Sequence, residues 1–192
     1  MDTMLPIYIV LGVVVVVVIA VAVWLFSARA ALVRRNQSVD EAWQGIASEL
    51  SRRAELIPAL VATVREHASH ERRVFEEVAA ARERSIGAAS PGEAASAEPE
   101  VKKAVRAVFV VAQGYPKLQA SREYLDLQQQ FSDTDDSVQA ARRKFNSSVR
   151  DFNTRVRSFP SSMFARGLGL SEREFFEIDD PNAVAEPPRV QF

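Results

Sequence analysis

The two histidines of this sequence are the residues whose type and spacing come closest to those of a metal site. His67 and His70 lie three residues apart, and Glu71 follows directly. On a helix, residues three apart share one face, so the two imidazoles could bind one metal ion together. A hydrolytic zinc site also needs a third protein ligand and a general base, and the sequence does not mark either. We therefore expect surface histidines here, and a metal-dependent enzyme using His67 and His70 is the alternative hypothesis.

The search for other chemical motifs gives no further site. The sequence has no Gly-rich phosphate loop, no GxSxG and no HExxH. It has no Cys, which excludes disulfides and thiolate metal sites. With 24 basic and 25 acidic residues, the chain has no basic excess that would neutralise nucleic-acid phosphates. We expect no enzyme activity, no catalytic residues, no cofactor, no bound metal and no nucleic-acid partner.

An uncharged apolar stretch runs from Ile7 to Phe26 and predicts that the rest of the chain lies next to a membrane. A bilayer core about 30 Å thick requires roughly 20 apolar helical residues. A cleaved signal peptide would begin with a basic region and have a shorter apolar core, whereas MDTMLP contains an Asp and no Lys or Arg. We therefore expect a retained single-pass transmembrane helix.

The charges that flank this stretch predict its orientation. Arg29, Arg34 and Arg35 follow it closely, and no basic side chain precedes it. Basic residues favour the cytoplasmic side. We therefore expect the cell (inner) membrane as the location, with the N-terminus outside and the bulk of the chain in the cytoplasm.

Helical periodicity dominates the sequence after this apolar stretch. Apolar residues recur from Val39 mostly at steps of three, four and seven, which is the period of one helical face: Val39, Trp43, Ile46, Leu50, Ile57, Leu60, Val61 and Val64. No breaker separates them from the apolar stretch, so one long helix is expected. Pro58 lies inside it and should kink it or mark a junction. The pattern continues through Val78 and fades near Arg84.

The second half of the chain predicts shorter helices and a heptad seam. The segment 87–100 is rich in Ala, Ser, Gly and Pro and predicts a flexible linker, followed by a short helix over 101–112. Ser132 to Asp136 offers cap residues and acids, which indicates the start of a new helix. Its seam consists of Val138, Phe145, Phe152 and Phe159, and Pro160 ends it. We expect Phe145 and Phe152 to be buried.

Two asparagines accompany this seam one heptad apart. Asn146 and Asn153 are either solvent-facing or buried, and a buried Asn can fix helix register or oligomeric state.

The tail over 179–192 contains Pro187 and Pro188 and is expected to be extended or disordered.

Several strings in this sequence resemble the LemA family of bacterial membrane proteins. They are ALVRRNQSVDEAW, ELSRRAELIPALVATV, GYPKLQAS and VRDFNTRVRSFPSSMFARGLG with REFF, and they run in order from about Leu32 to Phe192. The resemblance marks these positions as typical of the family: Arg52, Arg53, Leu56, Ile57, Pro58, Asn146, Asn153, Ser158, Phe159 and Pro160. It implies an all-α fold in which the transmembrane helix continues into a cytoplasmic antiparallel bundle of long helices. It implies no established catalytic activity.

These observations predict three segments: a tip and anchor over 1–28, a helical bundle over 29–178, and the tail over 179–192. They favour a scaffold that binds another membrane protein or assembles with itself, and the resemblance makes a membrane zinc protease a candidate partner. We expect a homo-oligomer through the seam of Trp43, Leu50, Ile57 and Val64, and a membrane-shaping oligomer is a further alternative. The candidate interaction and structural residues are Trp43, Leu50, Arg52, Arg53, Ile57, Pro58, Phe145, Asn146, Phe152, Asn153, Phe159 and Pro160.

The orientation yields a first testable prediction. Because the basic residues Arg29, Arg34 and Arg35 follow the apolar stretch, a tag at the C-terminus should be cytoplasmic. Protease added to intact spheroplasts should leave this tag undigested and should remove it after the membrane is permeabilised. Digestion of the tag in intact spheroplasts would show that the predicted orientation is reversed.

Overall fold

The computed structural model describes residues 4–177, with side chains described from residue 11 onward. Within this part of the chain the structure contains helices and no strands, which confirms the predicted all-α class. The helices are α1 (Met4–Arg65), α2 (Arg72–Gly87), α3 (Pro91–Ala112), α4 (Pro116–Gln119), α5 (Arg122–Arg157) and α6 (Ser161–Gly167). The predicted tail over 179–192 lies entirely outside the described residues, as do the first three residues of the predicted N-terminal segment, and the predicted domain limits stay predictions.

The described chain forms two compact units. The first unit comprises residues 4–41 and 148–173, and the second comprises residues 42–147 and 174–177. Both long helices, α1 and α5, contribute residues to each unit. The division therefore does not follow the order of the chain, because each unit combines early and late residues.

In the first unit, α1 begins with apolar side chains on its surface. The helix is long and apolar enough to cross a membrane, and its most apolar stretch is not buried by other parts of the chain. Further along, Leu32 and Val39 are buried, as is Phe152 of α5. The two helices run antiparallel here, because Trp24 contacts Phe159 while a later residue of α1, Arg35, pairs with an earlier residue of α5, Asp151.

In the second unit, the apolar face of α1 packs against α2, α3 and α5. Its core consists mainly of Ile57, Leu60, Val64, Phe75, Val78, Val101, Val105, Val108, Leu118, Tyr124 and Phe131. Trp43 of α1 lies against Phe145 of α5 with ring centroids 6.2 Å apart. Phe145 is 1 % exposed and Phe152 is 0 % exposed, which confirms that both phenylalanines are buried.

The predicted flexible linker over 87–100 is wrong from Pro91 onward, because α3 begins there. Ser90 caps the helix by accepting a hydrogen bond from the N–H of Glu93 at 3.2 Å, and Pro91 occupies the first turn. Glu93 in return accepts a hydrogen bond from the N–H of Ala89 at 2.8 Å. A Ser followed by Pro and then Glu is a helix start signal, and the alanines that follow favour a helix.

The predicted helix start at Ser132–Asp136 is also wrong, because α5 runs without a break from Arg122 to Arg157. Thr134 is 0 % exposed, and its hydroxyl donates to the carbonyl of Gln130 at 2.7 Å inside the helix. Apolar residues at helical spacing continue on both sides of this polar string, from Tyr124 and Phe131 to Val138. Packing of this face outweighs the local preference of Ser and Asp for helix ends.

Two further predictions fail at helix ends. Phe159 does not continue the seam of α5, because the helix stops at Arg157 and the Phe159 side chain is 72 % exposed. The helix of α1 stops at Arg65 and does not continue toward Arg84, so His67 and His70 lie in the turn before α2. The premise that the two histidines share a helix face is therefore wrong.

Pro58 has a specific role where α1 meets α2. Proline has no N–H, so the carbonyl of Ala54, four residues earlier, lacks its usual helical donor. The Nε of Arg82 on α2 donates to this carbonyl at 2.9 Å. The helix α1 continues through Pro58, and the backbone group that proline leaves without a partner becomes an attachment point for α2.

This arrangement predicts that Arg82 and Pro58 are energetically coupled. Replacing Arg82 by Met should cost about 1 kcal/mol, because a partly buried carbonyl loses its partner. In the Pro58→Ala background, the N–H of the introduced alanine can serve the Ala54 carbonyl, so Arg82→Met should cost less. A double-mutant cycle on the full chain in mild detergent, followed by denaturant unfolding, measures the difference.

A matched control is available on the same helix. Among the described residues, Arg73 pairs with its exposed neighbour Glu77 alone, at 2.8 Å, so Arg73→Met should cost the same in the native and the Pro58→Ala backgrounds. Equal costs of Arg82→Met in both backgrounds would contradict the proposed role of Pro58.

Candidate functional site

A buried arginine lies where three helices of the second unit meet. Arg53 falls on the buried face of α1 between Leu50 and Ile57, at the same helical spacing as its apolar neighbours. Arg53 as a whole is 2 % exposed to solvent. A buried ion is stable only if it is paired and its hydrogen bonds are satisfied.

Two carboxylates supply this pairing. Arg53 donates from Nη1 to Oε1 of Glu98 at 2.6 Å and from Nη2 to Oε2 of Glu98 at 2.5 Å, which is a bidentate pair between α1 and α3. Nη1 also lies 3.1 Å from Oδ1 of Asp135 on α5. Lys102, one turn beyond Glu98, places its Nζ 3.7 Å from Oε1 of Glu98. We call Arg53, Glu98 and Asp135 the buried triad.

The electrostatics of the triad keep Arg53 charged. Burial alone would lower the pKa of the guanidinium, because a low-dielectric surrounding disfavours the cation. The hydrogen bonds and charges of Glu98 and then Asp135 outweigh burial and raise the pKa of Arg53 above its ordinary value. Arg53 is therefore a permanent cation that joins three helices.

A groove lies beside the triad between α3 and α5. Its main cavity has a volume of about 350 Å³ and is lined by Arg53, Val101, Lys102, Val105, Arg106, Phe109, Gln128, Phe131, Ser132 and Asp135. An adjoining cavity of about 250 Å³ shares Phe109 and Gln128 with it and adds Gln113, Gln119, Tyr124 and Leu125. We call the two cavities together the α3–α5 groove.

Three aromatic side chains that contact one another form part of the lining of this groove. Phe109 meets Phe131 edge to face with centroids 5.6 Å apart and meets Tyr124 at 6.0 Å. Burial raises the pKa of Tyr124, so this phenol stays neutral. Leu125 at one end is 50 % exposed. The groove therefore combines apolar walls with the cationic side chains of Lys102 and Arg106.

The two asparagines of α5 bind backbone groups of the segment that follows α6. In the second unit, Asn146 donates from Nδ2 to the carbonyl of Phe176 at 3.2 Å and accepts from its N–H at 2.9 Å. In the first unit, Asn153 makes the same two bonds to Arg173, at 2.9 and 2.8 Å. We call these pairs the asparagine clamps.

The spacing of the asparagines in the sequence fits the spacing of the residues they bind. Seven residues of helix rise about 10.5 Å, and three residues of chain can reach about 10 Å when fully extended. Each asparagine side chain thus mimics a peptide group and holds the segment 171–177 against α5. Asn153 is buried and Asn146 is partly buried, and the described contacts of both residues are within the chain.

The other predicted residues have mixed positions. Leu50, Ile57 and Pro160 are buried, and Trp43 is partly buried against Phe145. Arg52 and Pro58 are exposed, and Arg52 has only a loose contact with Glu49 at 3.9 Å. Of the predicted set, the structure brings only Arg53 to the α3–α5 groove.

Sequence reasoning missed Glu98, Asp135 and the groove. The sequence did contain an indication that Glu98 is buried, because Glu98 continues the helical spacing of Val101 and Val105 toward the N-terminus of α3. The sequence contained no such indication for Asp135, because Arg53 and Asp135 are 82 residues apart and no local sequence pattern relates them. The histidines are both exposed, and residues 11–177 contain no group of three His, Cys, Asp or Glu that could hold a metal ion.

Comparison with known proteins adds a family assignment. A sequence model described as the LemA family matches residues 42–192, which is most of the chain. The match includes every residue of the buried triad, the α3–α5 groove and both asparagine clamps. Comparison with curated proteins gave no match.

The buried triad predicts opposite outcomes for single and double replacements. Arg53→Met leaves Glu98 buried without its main partner and should cost about 3–5 kcal/mol. The double variant Arg53→Met/Glu98→Leu removes both buried charges and should be far more stable than the single variant, because a paired ion and an apolar pair are often nearly equivalent. Denaturant unfolding of the full chain in detergent measures both.

The remaining carboxylate of the triad should not obscure this comparison, since the Asp135 side chain is 51 % exposed and can be hydrated. A double variant that is less stable than Arg53→Met would contradict the pairing.

Proposed function

The chain belongs to the LemA family, and we propose that it is a membrane-anchored helical scaffold that binds a partner protein and catalyses no reaction itself. The observation that carries this proposal is the α3–α5 groove, whose main cavity is mostly apolar, partly open and flanked by cations. A scaffold needs such a surface, whereas an enzyme needs reactive groups converging on one cavity.

The apolar beginning of α1 supports the anchoring part of the proposal. The side chains from Val13 to Ile19 are 50–65 % exposed. A continuous apolar surface of this size is rare on a protein in water and is favourable in lipid. Arg29, Arg34 and Arg35 follow it, so we propose a single span in the cell (inner) membrane with the chain beyond the span on the cytoplasmic side.

The chemistry of the groove indicates the kind of partner. Its walls include Val101, Val105 and Phe131, which are 2–9 % exposed, and its rim includes the more accessible Lys102 and Arg106. Apolar pockets with a charged rim are typical of protein interfaces. We propose that the groove binds a protein segment that combines apolar and acidic side chains. A membrane zinc protease remains one candidate partner.

The long seam of α1 gives little support to self-assembly. Leu50 is 5 % exposed, Ile57 1 % and Val64 0 %, because helices of the same chain cover them. A homo-oligomer, and with it a membrane-shaping assembly, would therefore need another surface. For this reason we favour a different protein as the partner.

Photo-crosslinking tests this proposal. A photoreactive phenylalanine analogue in place of the half-exposed Leu125 should give a specific adduct in native membranes. Because Arg106 flanks the apolar part of the groove, adding Arg106→Glu should abolish this adduct through repulsion of an acidic partner. The same analogue at Glu76, which is exposed on α2, is the matched control and should give none.

The mass of the adduct decides between the alternatives. An adduct of one chain with a different protein supports the scaffold proposal, and an adduct of twice the mass of the chain indicates self-assembly through the groove. Absence of an adduct at Leu125, or an adduct that persists with Arg106→Glu, would contradict the proposed use of the groove.

A further inference from the structure

The first unit carries an exposed apolar surface of its own. Phe159 follows the end of α5 and is 72 % exposed, and Met163 on α6 is 66 % exposed. Leu168, just after α6, is 37 % exposed. We call Phe159, Met163 and Leu168 the α6 corner.

The α6 corner lies beside the apolar stretch of α1. The ring centroid of Phe159 is 6.2 Å from that of Trp24, and the two rings are inclined by 54°. Trp24 lies in the last turn of the uncharged stretch that ends at Phe26. Tryptophans at the end of a membrane span lie in the interface between hydrocarbon and water.

The depth of this interface decides what covers Phe159. The polar layer on each side of the hydrocarbon is roughly 5–8 Å thick, by the difference between the whole bilayer and its core. Phe159, 6.2 Å from Trp24, therefore lies within about one layer thickness of it, in or directly next to the layer of lipid headgroups. Lipid is then the surrounding that Phe159 meets when α1 spans the membrane.

The charge of the first unit is complementary to an anionic membrane. Between residues 11 and 41 and over 148–173 it contains eight arginines and four acidic residues, whereas the whole chain has a net charge of −1. Three of the four acidic residues already pair with arginines: Asp151 with Arg35, Glu172 with Arg157 and Asp40 with Arg173. Arg155 and Arg166 are exposed close to the α6 corner in the chain. Clusters of basic residues next to a span attract anionic lipids.

We propose that the α6 corner inserts into the headgroup layer of the leaflet from which α1 emerges, and that Arg155 and Arg166 bind anionic lipid headgroups there. The end of α5 is then a second membrane contact, and the chain meets the bilayer at two points. This inference rests on the proposed anchoring by α1, and it concerns lipid rather than the partner of the groove.

The absence of native Cys allows a direct test in the full chain. The variants Val18→Cys, Gln37→Cys and Met163→Cys are each labelled with a polarity-sensitive fluorophore. The full-length protein is reconstituted into vesicles of phosphatidylcholine and phosphatidylglycerol that contain lipids spin-labelled near the top of the acyl chain. Val18 reports the span, and Gln37 is an exposed residue of the same unit beyond the membrane.

The expected result is a blue-shifted emission at Met163 and quenching by the spin-labelled lipid, as at Val18 but not at Gln37. Replacing Arg155 and Arg166 by Glu, or omitting phosphatidylglycerol, should reduce the quenching at Met163 and leave that at Val18 unchanged. Every side chain replaced in these variants is exposed, so the variants should fold.

The controls separate the failure of this inference from the failure of the anchor. Quenching at Val18 with an unquenched Met163 label would overturn the inference and leave the anchor intact. An unquenched Val18 label would overturn both. Quenching at Met163 that does not respond to the arginine variants or to phosphatidylglycerol would overturn the role of the two arginines.

Discussion

A guanidinium that is 2 % exposed has to find its counter-charge inside the protein, and this requirement organises the second unit. Once Arg53 is on the buried face of α1, a carboxylate must face it, because an unpaired buried ion costs several kcal/mol. Glu98 satisfies this from α3 with two hydrogen bonds, and Asp135 adds a third from α5. These polar contacts thereby add a specific constraint on the axial positions of α3 and α5 along α1 to that of the surrounding apolar contacts. The α3–α5 groove lies beside this fixed point and shares Arg53 and Asp135 with it.

The same logic of satisfying buried polar groups recurs away from the triad. Pro58 leaves one carbonyl of α1 without a helical donor, and Arg82 supplies a donor from another helix. Asn146 and Asn153 supply to a segment without regular secondary structure the donors and acceptors that a neighbouring strand would supply in a sheet. Arg53, Pro58, Asn146 and Asn153 are among the positions that the resemblance to the LemA family marks as typical, and the contacts give a physical reason for each residue type. Arginine offers a planar fork, proline removes an N–H, and asparagine copies a peptide group.

The sequence predicted the features that depend on periodicity and length. The all-α class, a helix of membrane-spanning length and the burial of Phe145 and Phe152 all follow from patterns that extend over many turns. The errors occurred where a local signal competed with tertiary contacts. The composition of 87–100 indicated a linker, although Ser90, Pro91 and Glu93 mark a helix start. The cap residues at Ser132–Asp136 indicated a break between two helices. The helix instead continues, and Asp135 accepts a hydrogen bond from Arg53, 82 residues earlier in the chain. The groove depends on how α3 and α5 pack, and a single sequence does not contain that pairing.

The asparagine clamps also determine how this protein can diverge during evolution. Each clamp makes its hydrogen bonds to the N–H and carbonyl of the residue that it holds, so the side chain of Arg173 is not selected by its clamp. Phe176 is different, since its side chain is 0 % exposed and contributes to the core. Proline is the one residue that a clamped position cannot accept, because it lacks the N–H that the asparagine oxygen requires. Natural variation in this segment should therefore be broad at its exposed positions, with proline excluded at 173 and 176 and a large apolar residue retained at 176.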